Sequence, residues 1–142
     1  MEVRSPSTDT EWNDYYDLRY RILRKPLSQP KGSEKNGGDS LGKHLALYDK
    51  GRLVAITRLD QGEDLTSQVR FVAVENECQG KGYGKSIMSY AEQLSISQGN
   101  KKMILQARTG AVKFYQSLGY KTTEKTYVLF GQIQHYKMEK VY

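Results

Sequence analysis

Residues 68–86 read QVRFVAVENECQGKGYGKS, an apolar, β-branched run that enters a turn with glycine at 80, 82 and 84. The run favours a buried central strand. After the glycines, Ile87, Ala91 and Leu94, with Tyr90 beside them, recur at helical spacing until Gly99-Asn100 stops the pattern, which predicts a helix from about Tyr83 to Gln98. A strand that turns directly into a helix leaves the first helical N–H groups without partners and points the positive end of the helix dipole outward. Such an end attracts a phosphate or pyrophosphate. Glycines let the backbone approach the anion closely, and Lys81 and Lys85 add positive charge. A plain tight turn with surface lysines is the competing reading.

Two common phosphate loops do not fit. A Walker A loop ending in Gly84-Lys85-Ser86 needs glycine at 79, where the chain has Gln79. A dinucleotide fingerprint begun at Gly80 needs glycine or alanine at 85 and belongs in the first strand-helix unit, whereas three strands are expected before these glycines.

The flanks supply the rest of an architecture. Residues 11–24 carry Trp12, Tyr15, Tyr16, Ile22 and Leu23 at spacings near three and four, an amphipathic helix that Thr10 or Asp9 can cap and whose stripe Arg19 interrupts. Pro26 and Pro30 end it, and 26–43 reads as a long loop, either disordered or part of a binding wall. Residues 44–59 predict two strands around the Asp49-Lys50-Gly51 turn. Residues 101–107 predict a buried strand, 110–118 a short helix that Thr109 can cap, and the stretches on either side of Gly131 two closing strands. The expected class is α/β, a mixed sheet with helices on both faces, in one domain over 1–142.

Charge and composition narrow the function classes. The net charge is +6, but the 22 basic residues are spread from Arg4 to Lys140, and no helix-turn-helix or aromatic-basic RNA platform is visible, so nucleic acid is not the expected partner. No run of about 18 apolar residues is present to span a bilayer. The start, MEVRSPSTDTEWNDYY, lacks the apolar core of a signal peptide, and Cys78, the single cysteine, fits a reducing compartment. The cytoplasm is the expected location.

The segment Gln79-Gly80-Lys81-Gly82-Tyr83-Gly84 resembles the Q/R-x-x-G-x-G/A signature of the GNAT (general-control-related) N-acetyltransferase superfamily. The preceding VAV and the later AVKFYQSLGY (111–120), similar to that family's A-x-x-F-Y-x-x-x-G-F/Y segment, follow in the expected order. His44, Arg58, Arg70 and the closing Gly131, Ile133, His135 and Met138 resemble the ElaA-like branch. Where many members have asparagine, three residues before the alanine of the second motif, this chain has Arg108, which puts the usual amide contact in doubt.

The resemblance implies the acyl-CoA N-acyltransferase fold, with a mostly antiparallel sheet, and transfer of the acetyl group of acetyl-CoA to a primary amine of a small molecule or protein. It assigns the pyrophosphate to Gln79, Gly80, Lys81, Gly82, Tyr83, Gly84 and Lys85, and the pantetheine arm to the backbone of Val72, Ala73 and Val74. Tyr115 matches the tyrosine near the departing sulfur. An amine must also lose a proton, for which Glu75 is the first candidate, with His44 and His135 behind it. Direct attack needs no acyl-enzyme, so Cys78 reads as a packed residue, and no metal is expected. Tyr15, Tyr16, Arg21 and Arg24 either line an acceptor groove or simply pack the first helix, the second being preferred. Monomer and homodimer are both open. A non-catalytic acyl-CoA sensor is the alternative function.

Overall fold

The period-two alternation of apolar residues sets the layers in the computed structural model, which describes residues 1–142. In chain order the elements are β1 (Glu2–Arg4), α1 (Asp9–Leu23), β2 (Lys43–Asp49), β3 (Arg52–Gln61), β4 (Thr66–Val74), α2 (Tyr83–Ser97), β5 (Lys102–Arg108), α3 (Val112–Ser117), β6 (Lys121–Leu129) and β7 (Ile133–Val141). The seven strands form one sheet in the order β1-β2-β3-β4-β5-β7-β6, antiparallel throughout except for the β4–β5 pair. Successive residues of β2 go to opposite faces, Leu45 and Leu47 into a core shared with α2, and Ala46 and Tyr48 into a core shared with α1. The two long helices therefore cover opposite faces. No helix is long and apolar enough to cross a membrane.

The mixed sheet and its helices match the expected class, with three differences of detail. Strand β1 was not expected, because three residues carry too little pattern; it exists by pairing with Ala46–Tyr48. The cap of α1 is Thr8 rather than Asp9 or Thr10, its Oγ1 accepting from the Glu11 N–H at 3.1 Å. On α2, Tyr90 is exposed while Met88 and Glu92 are buried beside Ile87 and Ala91.

The larger departure concerns Arg19 and the segment after α1. Far from interrupting a stripe, Arg19 is wholly buried. Its guanidinium stands 4.1 Å from the centroid of the Phe71 ring and donates to Asp39 Oδ1 (2.9 Å) and to the Glu34 carbonyl (3.2 Å). Arg58, equally buried, reaches the same Asp39 Oδ1 at 2.7 Å, donates to Asn36 Oδ1 (2.7 Å) and forms a two-pronged contact with Asp60 (2.8 and 2.9 Å). Asp39 is thus the counter-charge that two buried arginines share, and the Asn36 N–H together with the arginines holds its carboxyl below the ordinary range despite the opposing effect of burial. Asn36 and Asp39 also cap a short 3₁₀ turn, Gly37–Ser40, reciprocally. These bonds give the stretch expected as a long loop a fixed path.

Removing one partner of a buried ion pair leaves the other charge uncompensated. Asp39→Ala should therefore lower stability by about 3 kcal/mol, read as a shift in urea midpoint. A midpoint within error of the parent would show that the arginines do not depend on it.

Candidate active site

Strand β4 pairs with β3 along most of its length, but with β5 only through Thr66↔Lys102, Ser67↔Met103 and Gln68↔Ile104. β5 then follows β7 for its whole length. Beyond Gln68 the two central strands part, and the outer edge of β4 from Val69 to Val74 has no neighbouring strand. A bulge marks the divergence: Ile56 faces Ala73 and Arg58 faces Arg70, so β4 carries one extra residue opposite Thr57. Phe71 within it has φ of 57°, rare for an aromatic residue. Thr57 Oγ1 donates to the Arg70 carbonyl at 3.0 Å and fastens the bulge.

Between the strands lies a cavity of about 240 Å³. Val69, Val72, Leu105, Ala111 and Tyr115 give it an apolar end, and Arg24, Phe71, Arg108, Tyr127 and His135 line it from the residue after α1, β4, β5 and the β6–β7 hairpin.

At the other end of β4, the glycine loop leads into α2. Gly80 and Gly82 take φ of 78° and 87°, the left-handed region that glycine enters without penalty. Gly82 caps α2 with no side-chain hydrogen bond. Neither the loop N–H groups of Gly80, Lys81 and Gly82 nor those of Tyr83–Lys85 find an acceptor in the chain, the first bond of the turn being Ser86 N–H to Gly82 O at 3.0 Å. Lys81 and Lys85 are exposed beside them. Gln79 Nε2 donates to the Val74 carbonyl (3.2 Å), tying the loop to the strand. Gly84 serves packing: a Cβ there would stand 3.1 Å from Phe114 Cζ. The Tyr83 side chain is turned to the carboxylate of Asp49, so only its backbone is left for the loop.

The candidate catalytic residues separate. Tyr115, buried with its ring edge-on to Phe114 (5.0 Å) and Tyr120 (5.9 Å), lines the cavity, and its hydroxyl has no hydrogen-bond partner. Burial raises its pKa well above the ordinary value, so the hydroxyl keeps its proton at neutral pH. Glu75 is committed elsewhere: Arg21 Nη1 and Nη2 each donate to one of its oxygens at 2.9 Å. Both of its oxygens are therefore engaged, and the pair clamps α1 to the end of β4. His44 is also occupied. Its Nε2–H donates to the Asp39 carbonyl (2.8 Å), which leaves Nδ1 to accept from the Tyr15 hydroxyl (2.8 Å).

His135 differs. Its Nδ1 lies 3.1 Å from the Ile133 carbonyl, an acceptor only, so Nδ1 carries the proton and Nε2 holds a lone pair with no partner in the chain. The ring stacks on Tyr127 at 4.6 Å and lines the cavity. Burial, with Arg108 and Arg24 nearby, lowers its pKa from the ordinary 6.5, so the imidazole is neutral at physiological pH. Cys78 is a free, buried thiol in the larger core, as expected.

The sequence profile of the Acetyltransferase (GNAT) domain matches residues 27–142. The chain belongs to this family. Among curated relatives, the uncharacterized N-acetyltransferase YjcF of Bacillus subtilis is 25% identical over 140 residues, 99% of each chain. Among solved structures, Escherichia coli ElaA is 20% identical with a TM-score of 0.77, over 98% of this chain and 97% of that one. An aminoglycoside 6'-N-acetyltransferase in complex with coenzyme A is 15% identical with a TM-score of 0.82, over 99% and 97%. At such identities the solved structures establish the acyl-CoA N-acyltransferase fold, and membership of the family makes the chain a GNAT acetyltransferase.

Within this GNAT fold, Val72 and Tyr115 meet at the cavity, whereas Ala73 turns its side chain into the α1 core and offers only backbone. Sequence reasoning left Arg24 to helix packing, but it lines the cavity; Arg108, noted only as a departure from the motif, stands beside it. The glycine positions differ as test sites. A Cβ at Gly82 meets nothing within 4 Å, and aspartate tolerates left-handed backbone better than most residues. Gly82→Asp should therefore fold yet lose acetyl-CoA affinity at least about 30-fold, by placing a carboxylate among the free amides. Calorimetric titration decides: unchanged affinity in a folded variant would remove the loop from the cofactor site.

Proposed function

We propose that this GNAT acetyltransferase catalyses direct attack of a primary amine on the thioester of acetyl-CoA, with Tyr115 and His135 handling the two protons. One observation carries the reading: a free strand edge runs between unpaired loop amides and a cavity lined by Tyr115, whose hydroxyl has no partner, and His135, whose Nε2 has none. Acetyl-CoA supplies an activated acetyl group. The amides of Gly80–Lys85, with Lys81 and Lys85, bind its pyrophosphate, which the family's loop signature in Gln79–Gly84 supports. The edge of β4 at Val72, Ala73 and Val74 pairs with the pantetheine arm as an added strand would, and an N–H there stabilises the charge that develops on the thioester oxygen.

Proton bookkeeping then assigns the side chains. The attacking nitrogen forms the C–N bond as the C–S bond breaks, and its surplus proton passes to Nε2 of His135. The Tyr115 hydroxyl donates to the departing sulfur. Glu75 contributes by holding α1 against β4 through Arg21, in place of acting as the base. All these groups come from one chain, so a monomer suffices, and no step calls for a metal. The free thiol suits a cytoplasmic setting.

Tyr115→Phe should lower kcat about 100-fold while acetyl-CoA affinity stays within about twofold. Equal loss in both would make Tyr115 a packing residue. His135→Gln should cost a similar factor and remove the acid limb of the kcat/KM profile. That limb lies below 6.5, because the environment favours the neutral ring. An acid limb that survives the substitution would move the base elsewhere. Acetyl-CoA binding without CoA release for any amine would favour the sensor.

A further inference from the structure

Arg24 and Arg108 converge on a single atom. Arg24 Nη1 lies 3.1 Å and Arg108 Nη2 2.8 Å from the carbonyl oxygen of Leu23, at the end of α1. The donating nitrogens are therefore within roughly 6 Å of each other, close enough for like charges to repel. Neither arginine contacts a carboxylate. The other bond of Arg24 goes from Nε to the Ser33 carbonyl (3.2 Å), and the remaining nitrogens of Arg108 have no acceptor in the chain. Burial, the largest effect, weakens the charged form of both; Arg19 adds to it at Arg24 and Arg24 at Arg108, while Tyr127 opposes it at each and Glu34 opposes it at Arg24.

The rest of the molecule treats its arginines otherwise. Arg19 and Arg58 share Asp39, Arg58 and Arg70 share Asp60, and Arg21 holds Glu75. No aspartate or glutamate lines the cavity, and Arg70, the third cation there, contacts Asp60 at 3.0 Å, a carboxylate it shares with Arg58. Two half-buried guanidiniums with free donors and no counter-charge, beside the neutral His135, form a receptor for an anion.

We infer that the acceptor is a small amino-carboxylate, its carboxylate held by Arg24 and Arg108 while its amine faces His135. This rests on the acetyltransferase reading, in which the phosphates of CoA sit on the loop at Gly80–Lys85 and leave the two arginines to another ligand. Polycationic amines are repelled by the same pair.

The test uses matched amines that differ by the carboxylate: L-leucine against isoamylamine and L-tyrosine against tyramine, with spermidine as a polycation. Release of CoA is followed at saturating acetyl-CoA. The carboxylated member of each pair should show a kcat/KM at least about tenfold higher. Arg24→Gln and Arg108→Gln should each bring that ratio toward one, chiefly through KM, and Arg108→Lys should recover part of it. A parallel equilibrium arm needs no turnover: CoA-saturated protein should bind N-acetyl-L-leucine at least about tenfold more tightly than N-acetyl-isoamylamine. Equal behaviour of the pairs in that arm, or preference for isoamylamine or spermidine, overturns the inference. Repeating the assay with succinyl-CoA separates the other source of a carboxylate. If the substitutions impair only the succinyl donor, the arginines read the acyl group and the acceptor assignment is wrong. Failure of the unmodified protein to bind acetyl-CoA would instead defeat the acetyltransferase reading itself, which titration reports independently.

Discussion

The parting of β4 from β5 after three paired residues is the constraint from which the site follows. A fully paired parallel sheet would satisfy the edge of β4 internally and close the space where Tyr115 and His135 now meet. The bulge at Phe71 marks the bend. An aromatic residue in left-handed backbone costs about 1–2 kcal/mol, and the surroundings hold it there. The guanidiniums of Arg19, Arg58 and Arg24 stand 4.1, 5.2 and 5.6 Å from its ring centroid. The buried charges that order residues 25–42 are thus also the charges that hold the bulge.

This arrangement divides the arginines by task. Those that share Asp39 and Asp60, three guanidiniums on two carboxylates, each contact a counter-charge and fix the wall of the cleft. Arg21 spends its charge on Glu75 and fixes the helix to the strand end. Arg24 and Arg108 have carbonyls in place of carboxylates, so their charge is still available inside the cleft.

What could be read from the sequence was local. The glycine loop, α2 and the motif around Tyr115 are contiguous segments whose spacing carries their geometry, and they were placed correctly in the fold. Pairings between distant positions were not legible. Glu75 looks like a base until Arg21, 54 positions earlier, occupies both its oxygens. Arg19 looks like a break in an apolar stripe because the partner that permits its burial, Asp39, lies in a segment with no pattern of its own. His135 and His44 are indistinguishable as letters. Only the acceptors around each ring show that one nitrogen of His135 is free while both of His44 are engaged. The lack of carboxylates near Arg24 and Arg108 is likewise a property of the folded neighbourhood.

The two halves of the sheet are also consecutive in the chain. β1–β4 with α1 and α2 are complete by Ser97, and β5–β7 with α3 follow from Lys102. Within the first half β4 is the outermost strand, and β5 of the second half covers only its beginning. An unprotected edge invites pairing with other chains. The Phe71 bulge interrupts the ladder along that edge and limits how far a foreign strand could zip onto it. The distortion that keeps the cleft open thus also breaks the hydrogen-bonding pattern that a foreign strand would follow along the same edge.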